Sequence, residues 1–283
     1  MAASRSDEVP LLGDGVTPGI VRIGDTVRRP VRPFTVTVQA YLAHLHTAGF
    51  TGAPVPLGFD EQGREVLSFV AGDVPREPLP PEATGEDVLG ALACLVRDLH
   101  KAAQGWKPPP DAVWGSNPRA TERPELVTHR DYCPGNVVFR HGVPAALIDF
   151  DLARPTTRLY DIANALYWWA PLLDPLDRAP ALAEAHIPRR VAIFADAYGM
   201  TASQRRALVP VAGQMIRRFH VSTREKADTD PVFRRMWDAG GKDRLPRAER
   251  WIDQAGPAIT ARLTAPPPSP RPRQPSQSDR RAN

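Results

Sequence analysis

Two short segments of the sequence carry polar residues whose types and order suit phosphoryl transfer. In the first segment Asn136 follows Asp131 by five positions, and in the second Asp149 follows the apolar run 145–148. Phosphoryl transfer needs a carboxylate that accepts the proton of the acceptor hydroxyl, and a divalent cation held by a few hard oxygen ligands. We therefore interpret Asp131 as the catalytic base and Asn136 and Asp149 as ligands of Mg²⁺.

A hairpin between the two segments would bring them together. Residues 137–139 and 145–148 read as apolar strands, with a turn at His141 and Gly142. The order H-R-D-x-x-x-x-N, hairpin, D-F-D matches a kinase catalytic loop. Each polar residue alone could instead cap a local turn, but the joint order and spacing favour the catalytic interpretation.

The remaining elements predict an α+β protein with two lobes. Strand signals dominate an N-terminal nucleotide-binding lobe at 10–72, interrupted by one helix at about 35–48. A proline-rich linker follows at 73–83, and a mostly helical catalytic and acceptor-binding lobe at 84–264. The last segment, 265–283, is rich in proline, serine and arginine, so we expect a disordered tail.

The chain resembles the aminoglycoside phosphotransferase and choline kinase-like superfamily over about residues 10–255. The resemblance rests on His129-Arg130-Asp131 with Pro134-Gly135-Asn136, on Ile148-Asp149-Phe150-Asp151, and on Leu159-Tyr160-Asp161-Ile162-Ala163. It implies a protein-kinase-like two-lobe fold, with Mg²⁺ as cofactor and ATP or GTP as co-substrate.

The resemblance also implies supporting roles around the catalytic loop. A residue that matches Asp161 braces the loop from the following helix, although Asp161 could also act as a simple N-cap. His129 belongs to the same motif as the base. Asp151 either tunes the metal site or caps residues 152–153.

The residues expected to bind the nucleotide depart from the family pattern. A strand Lys or Arg should touch the phosphates, and we favour Arg28 over Arg29 for this contact. Its acidic partner is expected on the next helix, where the sequence has Val38 or Gln39. The glycine-containing segment 13–19 is a weak phosphate-loop signal. Adenine is expected at the linker edge, near the backbone of Ser68 to Val70.

The acceptor is predicted to be a small molecule with a hydroxyl group. Asp161 follows Asp149 by twelve positions, which leaves no room for the activation segment of a protein kinase. Residues 204–250 carry twelve basic against six acidic side chains, so we do not expect a polycationic acceptor. A nucleotide-binding module weakened by its missing helix acid is the alternative function.

Bulk properties exclude several other classes of protein. Of the net charge of +4, the tail contributes +3, so no basic surface for nucleic acid is indicated. No apolar run is long enough to span a membrane, and the N-terminus lacks a signal-peptide core. Cys94 and Cys133 cannot build a disulfide framework. We expect a cytoplasmic protein that binds neither membrane nor nucleic acid.

Overall fold

The computed structural model of the protein describes residues 8–11, 18–115 and 123–266. Its N-terminal part is an antiparallel sheet of five strands in the order β1-β2-β3-β5-β4. The strands are β1 (Val9–Pro10), β2 (Val21–Ile23), β3 (Thr26–Arg29), β4 (Pro56–Phe59) and β5 (Glu65–Ser68).

The predicted hairpin at Gly24 and Asp25 is confirmed. Ile23 and Thr26 pair across a two-residue turn, and Gly24 has φ of 57°, a conformation that favours glycine. The turn fixes the register of β3, and therefore decides which arginine of β3 faces the interior.

The predicted helix after β3 is α1 (Thr35–Thr47). Its residues Val38, Leu42 and Leu45 lie on one face and are buried, as the spacing required. The helix ends before Gly49, whose φ of 87° permits the left-handed conformation at the C-terminus. Through this face α1 joins the core beneath the sheet.

The helical part follows the linker. It contains α2 (Glu86–Ala102), α3 (Arg158–Trp169), α4 (Ile187–Tyr198), α5 (Ala202–Ala227), α6 (Pro231–Met236) and α7 (Lys242–Thr264). Helix α2 begins after Gly85, and the Thr84 hydroxyl just before it donates to the carbonyl of Pro81, 2.7 Å away. Leu92, Val96 and Leu99 bury its inner face.

Four strands in the middle of the chain frame the predicted catalytic segments. Strands β7 (Val137–Arg140) and β8 (Val143–Leu147) form the expected hairpin. Strand β6 (Leu126–Thr128) pairs with β9 (Arg154–Thr156), which the sequence did not reveal because it is three residues long and contains a proline. Both pairs hold the loop after β6 beside the loop after β8.

Three remaining expectations concern membrane-spanning helices, disulfide bonds and the segments near the two ends of the chain. No helix in the described ranges is long and apolar enough to cross a bilayer. Neither Cys94 nor Cys133 forms a disulfide. Residues 13–17 of the predicted phosphate loop, and the predicted tail after Pro266, lie outside the described residues.

Candidate active site

The loop after β6 turns sharply at Arg130, whose φ of 69° is uncommon for a residue with a side chain. The turn leaves Asp131 beside the start of the β7–β8 hairpin. The Asn136 amide nitrogen donates to the backbone carbonyl of Asp131, at 3.2 Å. Because the nitrogen of this amide is engaged, its oxygen is the atom left to ligate a cation.

The carboxyl group of Asp131 is tuned toward neutrality. Burial is the larger cause and the negative charge of Asp149 the second, and together they raise its pKa to about 6. Hydrogen bonds from Cys133 and Asn136 oppose this rise without cancelling it. A carboxylate with a pKa near the operating pH is suited to general-base catalysis.

Asp149 lies where β8 ends and a short 3₁₀ turn begins. It adopts a left-handed conformation with φ 62° and ψ 71°, and its side chain is 45% exposed. The backbone N–H of Ile148 donates to the carbonyl of Asn136, at 3.0 Å, which fixes the two loops together. The amide oxygen of Asn136 and the carboxylate of Asp149 are hard oxygen donors, so this pair fits Mg²⁺.

The arginine beside Asp149 is Arg29, not the favoured Arg28. Successive residues of a strand point to opposite faces of the sheet. Arg29 is buried, with its Nη1 3.7 Å from Asp149, and it donates two close hydrogen bonds to Asp151. Arg28 faces the other side, where its Nε lies 3.4 Å from Asp60.

The acid missing from α1 is supplied by a neighbouring strand. Glu65 of β5 places its Oε2 3.2 Å from Nε of Arg29, and its side chain is 3% exposed. Gln39, at the expected helix position, donates its amide to Glu65 at 3.4 Å. Burial raises the pKa of Glu65, although the charge of Arg29 pulls it down.

Asp151 belongs to this charge cluster. Burial, followed by the charge of Asp149, raises the pKa of Asp151 to about 6, while Arg29 opposes the rise. The backbone N–H of Ala153 is bonded to Phe150 rather than to the Asp151 side chain. The structure therefore does not place Asp151 as a cap for residues 152–153.

Asp161 holds the catalytic loop from α3. One carboxylate oxygen accepts from the Arg130 backbone N–H at 2.8 Å. The other accepts from the hydroxyl of Tyr132 at 2.5 Å and lies 2.8 Å from Nε2 of His100. Burial alone would raise the pKa of Asp161, but these hydrogen bonds and the nearby histidines hold it below its ordinary value. The N-cap of α3 is Thr157.

His129 fastens the same loop to the end of β8. Its Nε2 lies 2.9 Å from the carbonyl of Ile148, so this nitrogen carries the proton, and Nδ1 accepts from the backbone N–H of Asp131 at 3.2 Å. Burial lowers the pKa of His129 to about 4, so the ring stays neutral. A neutral imidazole satisfies both bonds at once.

The backbone and the serine side chain at the predicted adenine edge form hydrogen bonds with neighbouring segments of the same protein. The Ser68 hydroxyl accepts from the backbone N–H of Val55 at 2.8 Å, and the Ser68 N–H donates to the Val55 carbonyl at 2.9 Å. The N–H of Phe69 donates to Asp25 at 2.8 Å. Adenine contact at Ser68 and Val70 stays a prediction.

Comparisons with known proteins agree on one family. A model described as the phosphotransferase enzyme family matches residues 111–194. The trifolitoxin immunity protein of Rhizobium leguminosarum bv. trifolii is 34% identical over 213 residues, covering 72% of this chain and 78% of that protein. The homoserine kinase of Phenylobacterium zucineum is 54% identical over 147 residues, covering 52% of this chain and 39% of the kinase.

Solved structures share the fold at low identity. A choline/ethanolamine kinase family protein from Mesorhizobium loti is 16% identical with a TM-score of 0.57, covering 87% of this chain and 88% of that one. An amicoumacin kinase in complex with AMP-PNP and Ca²⁺ is 11% identical with a TM-score of 0.60, covering 89% of both chains. These structures confirm the predicted two-lobe, protein-kinase-like fold.

Proposed function

Because the chain belongs to the aminoglycoside phosphotransferase and choline kinase-like family, whose members are phosphotransferases for small molecules, we propose that it moves the γ-phosphoryl group of ATP or GTP to a hydroxyl group. One observation supports this most. Burial, and second the negative charge of the nearby Asp149, raise the pKa of the Asp131 carboxyl to about 6. The proposed base and the proposed metal ligand therefore lie close together.

Asp131 acts as the base in this proposal. Its carboxylate accepts the proton of the acceptor hydroxyl as that oxygen bonds to the γ-phosphorus, and the bond from the γ-phosphorus to the bridging oxygen breaks to release the nucleoside diphosphate. Asp161 and His129 keep the loop in place through the backbone N–H groups of Arg130 and Asp131. Positioning and charge neutralisation supply most of the catalysis.

Asn136 and Asp149 are the proposed ligands of Mg²⁺, with Asp151 in support. The ion, when bound, neutralises charge on the phosphate oxygens. The two ligands come from the ends of the β7–β8 hairpin, and the bond between the Ile148 N–H and the Asn136 carbonyl keeps them together.

Arg29 replaces Arg28 as the proposed phosphate contact. It already lies 3.7 Å from Asp149, at the place where metal and phosphates must meet, and its planar group suits bidentate contact with phosphate. Glu65 holds its Nε from the neighbouring strand. An arginine–acid pair is thus present, with the acid on strand β5 instead of helix α1. The missing acid was the main reason for the alternative function, a weakened nucleotide-binding module, and that reason no longer applies.

The proposed acceptor is a neutral or anionic hydroxyl compound rather than a polycation. Four arginines of the basic region already pair with carboxylates, namely Arg205, Arg217, Arg244 and Arg247. Their four partners lie outside residues 204–250, so they offset four of the six surplus positive charges of the region, twelve basic against six acidic residues, and two remain. A nucleoside triphosphate as co-substrate fits a cytoplasmic enzyme that needs neither membrane nor nucleic acid.

Release of ADP or GDP tests this function. The purified chain is incubated with Mg²⁺, ATP or GTP and a panel of sugars, nucleosides, hydroxy acids, L-homoserine, choline and aminoglycosides. We expect saturable release with at least one compound that is not a polycation, and release at least about 10²-fold slower by Asp131→Asn. Nucleotide binding without acceptor-dependent release on the whole panel would favour the binding module, and turnover confined to aminoglycosides would exclude the proposed acceptor class.

A further inference from the structure

The peptide group between Asp131 and Tyr132 joins the proposed base to one of the proposed metal ligands. Its carbonyl oxygen accepts a hydrogen bond from the side-chain amide of Asn136, at 3.2 Å. Its N–H donates to Oδ1 of Asn164, on α3, at 2.9 Å. A peptide group is planar and stiff, so a hydrogen bond at one end restrains the direction of the other end. Asn164 therefore restrains the carbonyl to which Asn136 is bonded.

The bond from the Tyr132 N–H requires the oxygen of the Asn164 amide, because the nitrogen of an amide side chain cannot accept. Asn164 lies three residues after Asp161, so the two side chains share one face of α3. Asp161 accepts from the backbone N–H of Arg130 at 2.8 Å. These two side chains of α3 thus hold the backbone directly before and directly after the base.

Tyr132 itself is held firmly, so the restraint from α3 can reach the base. Its side chain is fully buried, and its hydroxyl donates to Asp161 at 2.5 Å. Its carbonyl accepts from the indole Nε1 of Trp169, at the end of α3, at 2.8 Å. Three residues of α3 therefore fix Tyr132 through its N–H, its carbonyl and its hydroxyl.

We propose that Asn164 is a positioning residue for the phosphoryl transfer, which sets the directions of the Asp131 carboxyl and of the Asn136 amide together. The inference rests on the proposed function, because those two side chains are its base and one of its metal ligands. Loss of the Asn164 oxygen frees the peptide group to rotate. Rotation breaks the bond that turns the Asn136 oxygen toward the cation, and it also alters the ψ angle of Asp131.

Substitutions of similar size at Asn164 separate the hydrogen bond from packing. Asn164→Leu removes the acceptor oxygen, whereas Asn164→Asp keeps an oxygen in the same place. Asn164→Ala also removes the oxygen, and it takes the place of Asn164→Leu if the larger apolar side chain prevents folding. The matched control is Gln214→Leu, which removes an amide from a half-buried position of another helix, α5. Urea denaturation shows that each variant is folded.

The first measurement uses NMR on the chain without metal or nucleotide. The Tyr132 amide proton and the Asn136 side-chain amide, assigned from Asn136→Ala, report on the two ends of the peptide group. We expect Asn164→Leu to speed exchange of the Tyr132 proton about tenfold or more, and to shift the Asn136 resonances. Asn164→Asp should keep the Tyr132 proton protected, and Gln214→Leu should change neither signal. A change at Tyr132 alone would overturn the coupling between Asn164 and Asn136.

The second measurement compares nucleotide binding with and without the metal. Calorimetry gives the nucleotide Kd in Mg²⁺ and in a chelator. Asn164→Leu should weaken binding in Mg²⁺ about 10- to 100-fold, the range for groups that orient metal ligands, and should leave binding in the chelator unchanged. A purely structural residue would lower both affinities, so equal losses in the two buffers, or the same split in Gln214→Leu, would overturn the proposal.

The third measurement is release of ADP or GDP at about pH 8, where ordinary aspartates are ionised. Asn164→Leu should lower kcat about 10- to 100-fold, and Asn164→Asp should restore most of it, because the oxygen acceptor is present again. Failure of Asn164→Asp to restore kcat would overturn the proposal. If the unaltered chain releases no nucleoside diphosphate with any acceptor, the proposed function fails, while the NMR measurement still decides whether Asn164 positions Asn136.

Discussion

Arg29 on β3 and Glu65 on β5 are paired directly across two hydrogen-bonded strands, with Nε of the arginine 3.2 Å from the carboxylate. The pair is buried, and its other side reaches Asp149 and Asp151. The register of the sheet therefore places the guanidinium of Arg29 at the cleft. Glu65, which does not face the cleft residues Asp149 and Asp151, holds the guanidinium from the other side.

Replacement of Arg29 should weaken nucleotide binding. Arg29→Gln is expected to raise the Kd for Mg-ATP about tenfold or more, because charge-assisted hydrogen bonds are lost. The same change should lower the free energy of unfolding by about 3–5 kcal/mol, since Glu65 stays buried without its partner. Calorimetry and urea denaturation measure the two effects.

Arg28→Gln is the matched control for Arg29→Gln. It removes the same charge from the adjacent residue, on the opposite face of β3. Because Arg28 points away from the cleft and pairs with Asp60, the nucleotide Kd should stay within about twofold. If Arg28→Gln weakened binding more than Arg29→Gln, the assignment of the phosphate contact would be reversed.

Loss of the base should separate chemistry from binding. Asp131→Asn keeps the shape of the side chain and is expected to lower kcat by at least about 10²-fold, the scale of general-base catalysis. The nucleotide Kd should stay near that of the unaltered chain. Stopped-flow or coupled ADP assays, with calorimetry on the same sample, check both. A variant with near-normal kcat would remove Asp131 from the base role.

Loss of the proposed metal ligand should depend on the metal. Asp149→Ala is expected to reduce nucleotide affinity more in the presence of Mg²⁺ than in its absence, because the ion bridges carboxylate and phosphate. Calorimetric titrations of ATP with Mg²⁺ and with a chelator provide the comparison. Equal losses in both buffers would assign Asp149 a structural role instead.

The activity should fall on the acidic side at a higher pH than an ordinary aspartate would give. A base works only when ionised, and burial together with Asp149 raises the pKa of Asp131 to about 6. In the chain without metal or nucleotide, the carboxyl of Asp131 should therefore titrate near pH 6. With Mg²⁺ bound beside Asp149 only the effect of burial is left, so kcat/KM for the acceptor should rise with pH above the ordinary aspartate range and then level off. Carboxyl ¹³C NMR, compared with Asp131→Asn, assigns the titration. If kcat/KM fell only near the ordinary aspartate pKa of about 3.9, the burial of the Asp131 carboxyl would be contradicted.

Removal of the carboxylate behind the catalytic loop should destabilise the protein. Asp161→Ala is expected to lower the free energy of unfolding by about 3–5 kcal/mol, because His100, Tyr132 and the Arg130 N–H lose a buried partner. The pKa of Asp161 is lowered on folding, so its contribution is present at neutral pH and is lost only as pH falls through that pKa.

Urea denaturation at pH 7 measures the effect of Asp161→Ala. A matched exposed change, Asp98→Ala on α2, removes one carboxylate from the surface and should change stability by less than about 1 kcal/mol. If both variants lost equal stability, the carboxylate of Asp161 would not be the organising group of the loop.

The sequence predicted the local elements well, and the pairing between distant ones poorly. The helix at 35–48 and the hairpin around Asn136 and Asp149 follow from spacing within a few residues, and the structure has both. The Arg29–Glu65 contact depends on β3 pairing with β5, across an intervening helix and strand. A local pattern does not specify that register. The sequence therefore favoured Arg28, which faces Asp60 on the other side of the sheet, and placed the expected acid on α1.

Strand β9 was missed for a related reason. Its three residues, Arg154 to Thr156, form a strand only because β6 lies next to them. The network at Asp161 was predicted in outline from the family resemblance, but the involvement of His100, far away on α2, required the folded chain.

The β7–β8 hairpin has consequences beyond catalysis. Phe139 exchanges two backbone hydrogen bonds with Asp73, at 2.9 and 2.7 Å, and Leu147 donates to the carbonyl of Gly52 at 2.9 Å. The hairpin is thus fastened to the sheet side of the molecule. Replacement of surface residues on α5 to α7 leaves these bonds untouched. The outer helices could therefore be exchanged or redesigned while the hairpin and the proposed nucleotide site stay joined as one unit.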